Sequence, residues 1–205
     1  MVVGQLVTGL RGGPWGHGQD ALLAQVGGLT CRVHARSVMP ANWQMTELLA
    51  DMVLRWVQPT PGLRVLNMWA GIGVLGLLVA RAGALVTLVE SNPSAMADAR
   101  WSAEHNHIGR CRFRHTTAEA LLETAKPGEY DVLVLDPPRS GLSPAALNGL
   151  VALAAPRIVY VSGDPPTLAR DLRRLADAGY RVIRVQPFDL SPQTAQIDVL
   201  VELVR

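Results

Sequence analysis

From Arg64 to Ser162 the sequence repeats one pattern: a short, mostly apolar strand-like run, a turn, then a longer stretch with helical spacing. The runs fall at residues 64–68, 85–90, 111–115, 131–136 and 157–162. Apolar runs without in-out alternation must be covered on both faces, and helices between them make the strands parallel. The rhythm changes at the end, where residues 180–187 and 196–204 are extended and joined by a link too short for a crossover helix. They are expected to pair antiparallel. The sequence therefore predicts an α/β fold: a Rossmann-like, mostly parallel seven-stranded sheet with an antiparallel C-terminal hairpin.

Before this region, residues 1–40 are rich in glycine (Gly4, Gly9, Gly12, Gly13, Gly16, Gly18, Gly27, Gly28) and alternate at 29–35, which predicts a small β or irregular lead-in. A single domain over 41–205 follows. Its first element is a helix with Met45, Leu48, Leu49, Met52, Val53 and Trp56 on one face, ended by Pro59 and Pro61. With 49% hydrophobic and 18% charged residues, the 205-residue chain has the apolar content for a sizeable core. Cys31 and Cys111 are too far apart in the sequence, and too few, for a disulfide framework or a cysteine zinc site. No apolar stretch approaches the roughly 18 residues of a membrane span, and the start lacks a secretory leader pattern, so a soluble cytoplasmic protein without membrane contact is expected. The net charge is only +2 although the basic residues are 18 arginines and the single Lys126, so charge by itself does not indicate nucleic acid.

In an open parallel sheet, ligands gather outside the carboxyl ends of the strands. Four segments end there. Gly71-Ile72-Gly73-Val74-Leu75-Gly76 has glycine-loop spacing between a strand and a helix, which suits either close backbone approach to a ligand or a plain tight turn. Glu90 ends the second strand, where a carboxylate can accept from both hydroxyls of a ribose or stand solvated. Asp136-Pro137-Pro138-Arg139 holds an acidic side chain rigidly at the end of the fourth strand. Beyond the fifth strand, Asp164 reads as a helix cap before Pro165, and Asp198 interrupts an apolar strand.

Taken in order, Gly71-Ile72-Gly73, Asp136-Pro137-Pro138-Arg139, Tyr160-Val161-Ser162, Thr167-Leu168-Ala169-Arg170-Asp171-Leu172, Gly179-Tyr180 and Pro192-Gln193-Thr194 carry a resemblance. Over residues 28–205 the chain resembles the S-adenosylmethionine-dependent uracil-5-methyltransferases of tRNA and ribosomal RNA. The resemblance implies a class I methyltransferase fold with S-adenosyl-L-methionine as cofactor. Its methionine part would lie over Gly71 and Gly73, near Asn67 and Asp136, and its ribose at Glu90. Asp136 would also face the target pyrimidine, Asp198 would stand where the family has its proton-abstracting glutamate, and RNA would be the substrate. Several positions depart from the family pattern. Gly163 stands where the resemblance places the attacking cysteine, Asn67 where the first strand has aspartate, Ala70 where the loop has cysteine, Gln196 where a histidine is usual and Pro40 where a glutamine is usual, though Asn42 is retained. The family's N-terminal RNA-binding barrel and most of its middle insertion have no counterpart in these residues, which implies a protein partner supplying that module.

Carbon 5 of uracil becomes nucleophilic only after a thiol adds to the neighbouring carbon, so a glycine at position 163 removes that route. Two functions stay open: methyl transfer to RNA or another planar acceptor by a route without the cysteine, or a pseudoenzyme that binds the cofactor or RNA as a scaffold. A nicotinamide-dependent oxidoreductase also fits the glycine loop, but the C-terminal hairpin and the Asp-Pro-Pro-Arg turn disfavour it. His17, His34, His105, His107 and His115 lack converging partners, so no metal site is expected. Arg110, Arg112 and Arg114 alternate along a strand as a solvated face or a phosphate-binding row. Trp69 is expected to line the pocket, while Trp43, Trp56 and Trp101 pack helices on the sheet.

Overall fold

The computed structural model describes residues 20–38 and 42–205; the leading glycines through Gly18, His17 and Pro40 lie outside the described residues. Strands β1 (Ala21–Val26) and β2 (Leu29–His34) form an antiparallel hairpin. Gly27 and Gly28, at φ +54° and +74°, supply the left-handed turn that such a two-residue connection requires.

The outer edge of β2 does not pair with another strand. Its N–H groups at Thr30, Arg32 and His34 donate to the side chains of Asn106 (3.0 Å), Ser102 (3.0 Å) and Asp98 (2.8 Å). Those acceptors fall within or just beyond helix α3 (Pro93–His105), four residues apart. Four helical residues rise about 6 Å and two strand residues about 6.7 Å, so the steps match. The fully buried Asp98 also accepts from Arg32 Nε at 2.6 Å and Ser37 Oγ at 2.6 Å.

Helix α1 (Trp43–Val57) is capped by the Asn42 side chain and ends at Gln58, ahead of Pro59. Its buried face is Thr46, Leu49, Ala50, Val53, Trp56 and Val57. Leu48, expected on that face, is 55% exposed. The face is turned toward Thr46, whose hydroxyl donates to the Asn42 carbonyl at 2.7 Å and so is buried at little cost.

The central sheet comprises β3 (Arg64–Met68), β4 (Leu85–Glu90), β5 (Cys111–His115), β6 (Val132–Leu135), β7 (Arg157–Ser162), β8 (Arg181–Phe188) and β9 (Asp198–Val204). Their spatial order is β5-β4-β3-β6-β7-β9-β8, with β9 antiparallel to both of its neighbours and the other pairs parallel. This is the class I methyltransferase arrangement expected from the sequence. The chain leaves β3 toward β4 and β5, then returns to place β6 on the other side of β3. A crevice opens outside the carboxyl ends of the strands at this switch. Helices α2 (Val74–Arg81), α4 (Ala118–Leu122), α5 (Pro144–Leu153) and α6 (Pro165–Asp177) complete the fold. One core layer lies under α1, α2 and the hairpin, the other under α4, α5 and α6. In α2 all residues but Arg81 are buried, as expected of a helix covered on several sides.

Candidate functional site

Asn92 caps α3 by accepting from Ser94 N and Ala95 N, with Pro93 in the first turn. Asp164 takes the cap position of α6, but its side chain makes no capping bond. Pro165 and Pro166 have no N–H to offer, and Ser162 Oγ accepts the Asp164 N–H at 3.2 Å instead.

Beyond β3 the chain turns sharply. Trp69, Gly71 and Gly73 have φ of +53°, +55° and +90°. The tryptophan is a non-glycine residue held left-handed, a conformation costing about 1–2 kcal/mol, and it lines the crevice. The loop is held by one carboxylate: Gly71 N donates to Glu90 Oε2 at 2.8 Å, and Asn92 N donates to Glu90 Oε1 at 2.7 Å. The two glycines differ in what they do. A side chain at Gly71 would meet nothing within 4 Å, because that side faces open space. One at Gly73 would meet Ala99 Cβ at 2.9 Å, so Gly73 serves the turn and the packing of α2 on α3.

Asn67 sits buried on β3, its Nδ2 donating to the Val134 carbonyl at 3.2 Å and its Oδ1 without a partner. Gly76 leaves room for that oxygen, since a Cβ there would stand 2.7 Å from it.

These pieces converge on a cavity of about 550 Å³ whose polar lining includes Asn67, Glu90, Asp136 and Asp198, with apolar walls from residues such as Leu49, Ile72 and Val161. Asp136 stands open to water across the cavity mouth while protein encloses its other sides. That enclosure, with the carboxylates of Asp198 and Glu90, pushes its carboxyl up to about 7. Asp198 is also raised by partial burial, against the opposing pull of Arg139. Gly163 adjoins this group: a Cβ built on it would lie 3.0 Å from Asp198 Oδ1.

The loop after Asp136 is pinned from α6. Thr167 Oγ1 donates to the Arg139 carbonyl at 2.9 Å, and Arg170 Nη2 to the Ser140 carbonyl at 2.9 Å. The fully buried Asp171 accepts from Leu142 N and from Tyr160 Oη, each at 2.8 Å. In the sequence Tyr160 is marked only by the Tyr160–Ser162 motif and Asp171 only by the Thr167–Leu172 motif.

Other residues stand apart. Cys31 on β2 and Cys111 at the start of β5 do not line the cavity, and burial pushes their thiols up to about 11 and about 12. His105 stacks on Trp101 at 4.6 Å. Among the described residues, no three His, Cys, Asp or Glu side chains converge as metal ligands. Arg110, Arg112 and Arg114 are exposed along the β5 edge. Arg110 and Arg112 line a second cavity of about 460 Å³, which lies at the amino ends of β3, β4 and β5, away from the crevice.

The sheet order and the crevice at its switch point define a class I methyltransferase fold. The family model for tRNA (uracil-5-)-methyltransferase matches residues 27–205, and the chain belongs to that family. It is 37% identical over 188 residues to an uncharacterized RNA methyltransferase of Gloeobacter violaceus, covering 92% of this chain and 40% of the relative. A similar protein of Geobacter sulfurreducens is 36% identical, with 91% and 38% covered. The chain thus spans about two fifths of the length of these curated relatives. Among solved structures, the Pyrococcus abyssi tRNA (uracil-54, C5)-methyltransferase in complex with S-adenosyl-L-homocysteine superposes with a TM-score of 0.77 at 28% identity, over 92% of this chain and 45% of that one. The magnesium protoporphyrin IX methyltransferase of Synechocystis, at 21% identity and a TM-score of 0.64 over 79% and 80% of the two chains, shares the fold. No helix among the described residues is long and apolar enough to cross a membrane.

Proposed function

We propose that this chain is the S-adenosyl-L-methionine-binding methyltransferase domain of an RNA-modifying protein, and that it works without the family's thiolate. The observation that carries the reading is the polar lining of the crevice, which includes the carboxylates of Glu90, Asp136 and Asp198 together with Asn67. Such a lining suits a ligand with an ammonium, a sulfonium and several hydroxyl donors. It repels the pyrophosphate of a nicotinamide dinucleotide, which argues against the oxidoreductase reading.

The residues present fit the cofactor. Gly71 leaves its side of the loop open to close approach, and Glu90, although engaged by two N–H groups, keeps free lone pairs for ribose hydroxyls. When bound, S-adenosylmethionine supplies an electrophilic methyl group. The protein's part is to hold the loop rigid through Glu90, fix the Asp136 edge through Asp171 and Thr167, and keep apolar walls around the transfer zone. Gly163, which we align with the family's attacking cysteine, brings no nucleophile. This glycine favours a second reading, cofactor binding without turnover.

Domain limits of 1–40 and 41–205, RNA as substrate and a partner supplying RNA binding belong to the same proposal. Isothermal calorimetry of the full chain with S-adenosylmethionine, S-adenosylhomocysteine and NADH tests the core of it. Binding of the first two and not the third is expected. No binding at millimolar S-adenosylmethionine overturns the proposal, and binding without methyl transfer to RNA selects the second reading.

A further inference from the structure

Three features of the crevice bear on the acceptor. Asp136 and Asp198 both line it, and the charge of Asp198 is felt at Asp136. Between strand and loop, Pro137 and Pro138 have no N–H to donate, and the Pro138 carbonyl is held by Gly141 N at 2.8 Å, so with Asp136 and Asp198 this rim is rich in acceptors, with the Arg139 guanidinium, whose charge acts on Asp198, as its donor. At the end of β7, Gly163 lacks the one atom that would press on Asp198, whose Oδ1 lies 3.0 Å from the Cβ position. Gly163 therefore does more than omit a nucleophile. It makes room for a carboxylate, and the two positions act as a unit.

Building on the proposed methyltransferase function, we infer that the subsite formed by Asp136, Pro137 and Asp198 over Gly163 takes a nucleobase by its exocyclic amino group, making adenine or cytosine the acceptor class in place of uracil. An exocyclic amine presents two N–H donors to a rim of acceptors. Uracil turns two carbonyl oxygens outward around its single ring N–H, and those lone pairs face carboxylates. The transfer balances without a thiol. The amine nitrogen forms the new bond to the methyl carbon, the methyl–sulfur bond breaks with its electron pair going to sulfur, and the nitrogen's surplus proton passes to the Asp198 carboxylate.

The test uses the full chain saturated with S-adenosylhomocysteine and short single-stranded RNA oligomers that differ at one central base. Oligomers with central adenine or cytosine are expected to bind at least tenfold tighter than the all-uridine oligomer. In Gly163→Ala, the new methyl group shifts the Asp198 carboxylate by a few tenths of an ångström, and the preference is expected to fall measurably, by about twofold or more, while S-adenosylhomocysteine affinity stays within twofold. Gly163 does not have a left-handed φ, so this substitution does not strain the backbone. Mass spectrometry of oligomers incubated with S-adenosylmethionine is expected to find the new methyl group on a base nitrogen. Equal binding of all oligomers, no oligomer binding, a preference unmoved in Gly163→Ala, or 5-methyluridine as product overturns the inference while leaving cofactor binding intact. Failure of S-adenosylhomocysteine to bind overturns the function proposed above and this inference together.

Discussion

Glu90→Gln probes the clamp on the glycine loop. The carboxylate accepts from Gly71 N at 2.8 Å with one oxygen and from Asn92 N at 2.7 Å with the other. Glutamine keeps one oxygen and turns an NH2 group toward the remaining backbone donor, so one bond is lost and replaced by a donor–donor contact. A hydrogen bond to an ionised group contributes about 1.5–3 kcal/mol. Because Glu90 is half-buried, the lower part of that range applies, and about 1.5–2 kcal/mol corresponds to roughly 10- to 30-fold weaker binding. Calorimetry with S-adenosylhomocysteine on the wild type and Glu90→Gln reads this directly. The thermal midpoint is expected to fall by about 3–8 °C for a chain of this size. A Kd within threefold of wild type would refute the role given to Glu90 as the group that holds the loop in its ligand-ready shape.

Two further outcomes follow from the carboxylates. Asp136 has its carboxyl raised to about 7, above its unfolded value, so protonation is favoured in the folded state; its contribution to stability is full below about pH 4 and is lost as pH rises through 7. A cationic cofactor selects the ionised form, so affinity for S-adenosylmethionine is expected to rise by up to about tenfold from pH 6 to pH 8 and to flatten in Asp136→Asn. A pH-independent wild type in calorimetry would contradict this. Asp171→Ala leaves the Tyr160 hydroxyl and the Leu142 N–H without their acceptor inside the core, a loss of about 3–5 kcal/mol. The thermal midpoint is expected to drop by about 6–20 °C in scanning calorimetry, and a change under 2 °C would show that the loop does not depend on this carboxylate.

Strand positions were legible because burial on both faces leaves a composition that little else produces, and the final hairpin because its link has no room for a crossover. The crevice followed from strand order, and Glu90, Asp136 and Asp198 do line it. What the sequence concealed was side-chain bonding between distant segments. Leu48 has helical spacing suited to the core, yet a satisfied Thr46 took that face. Asp164 has the identity of a cap, but Pro166 removes one of the two donors it would serve and its side chain makes no bond to the other. Gly73 shares the spacing of a ligand loop with Gly71, and only the proximity of Ala99 separates their tasks. The match between β2 and α3 involves residues about 70 positions apart, so no local pattern announces it.

That match has a consequence for motion. The amide protons of Thr30, Arg32 and His34 rest on acceptors carried by or just beyond a helix of the central fold, so they exchange with solvent only when α3 withdraws or the hairpin peels off whole. The small N-terminal sheet therefore opens either together with α3 or by leaving it as one unit, and its three outer amides exchange at a common rate.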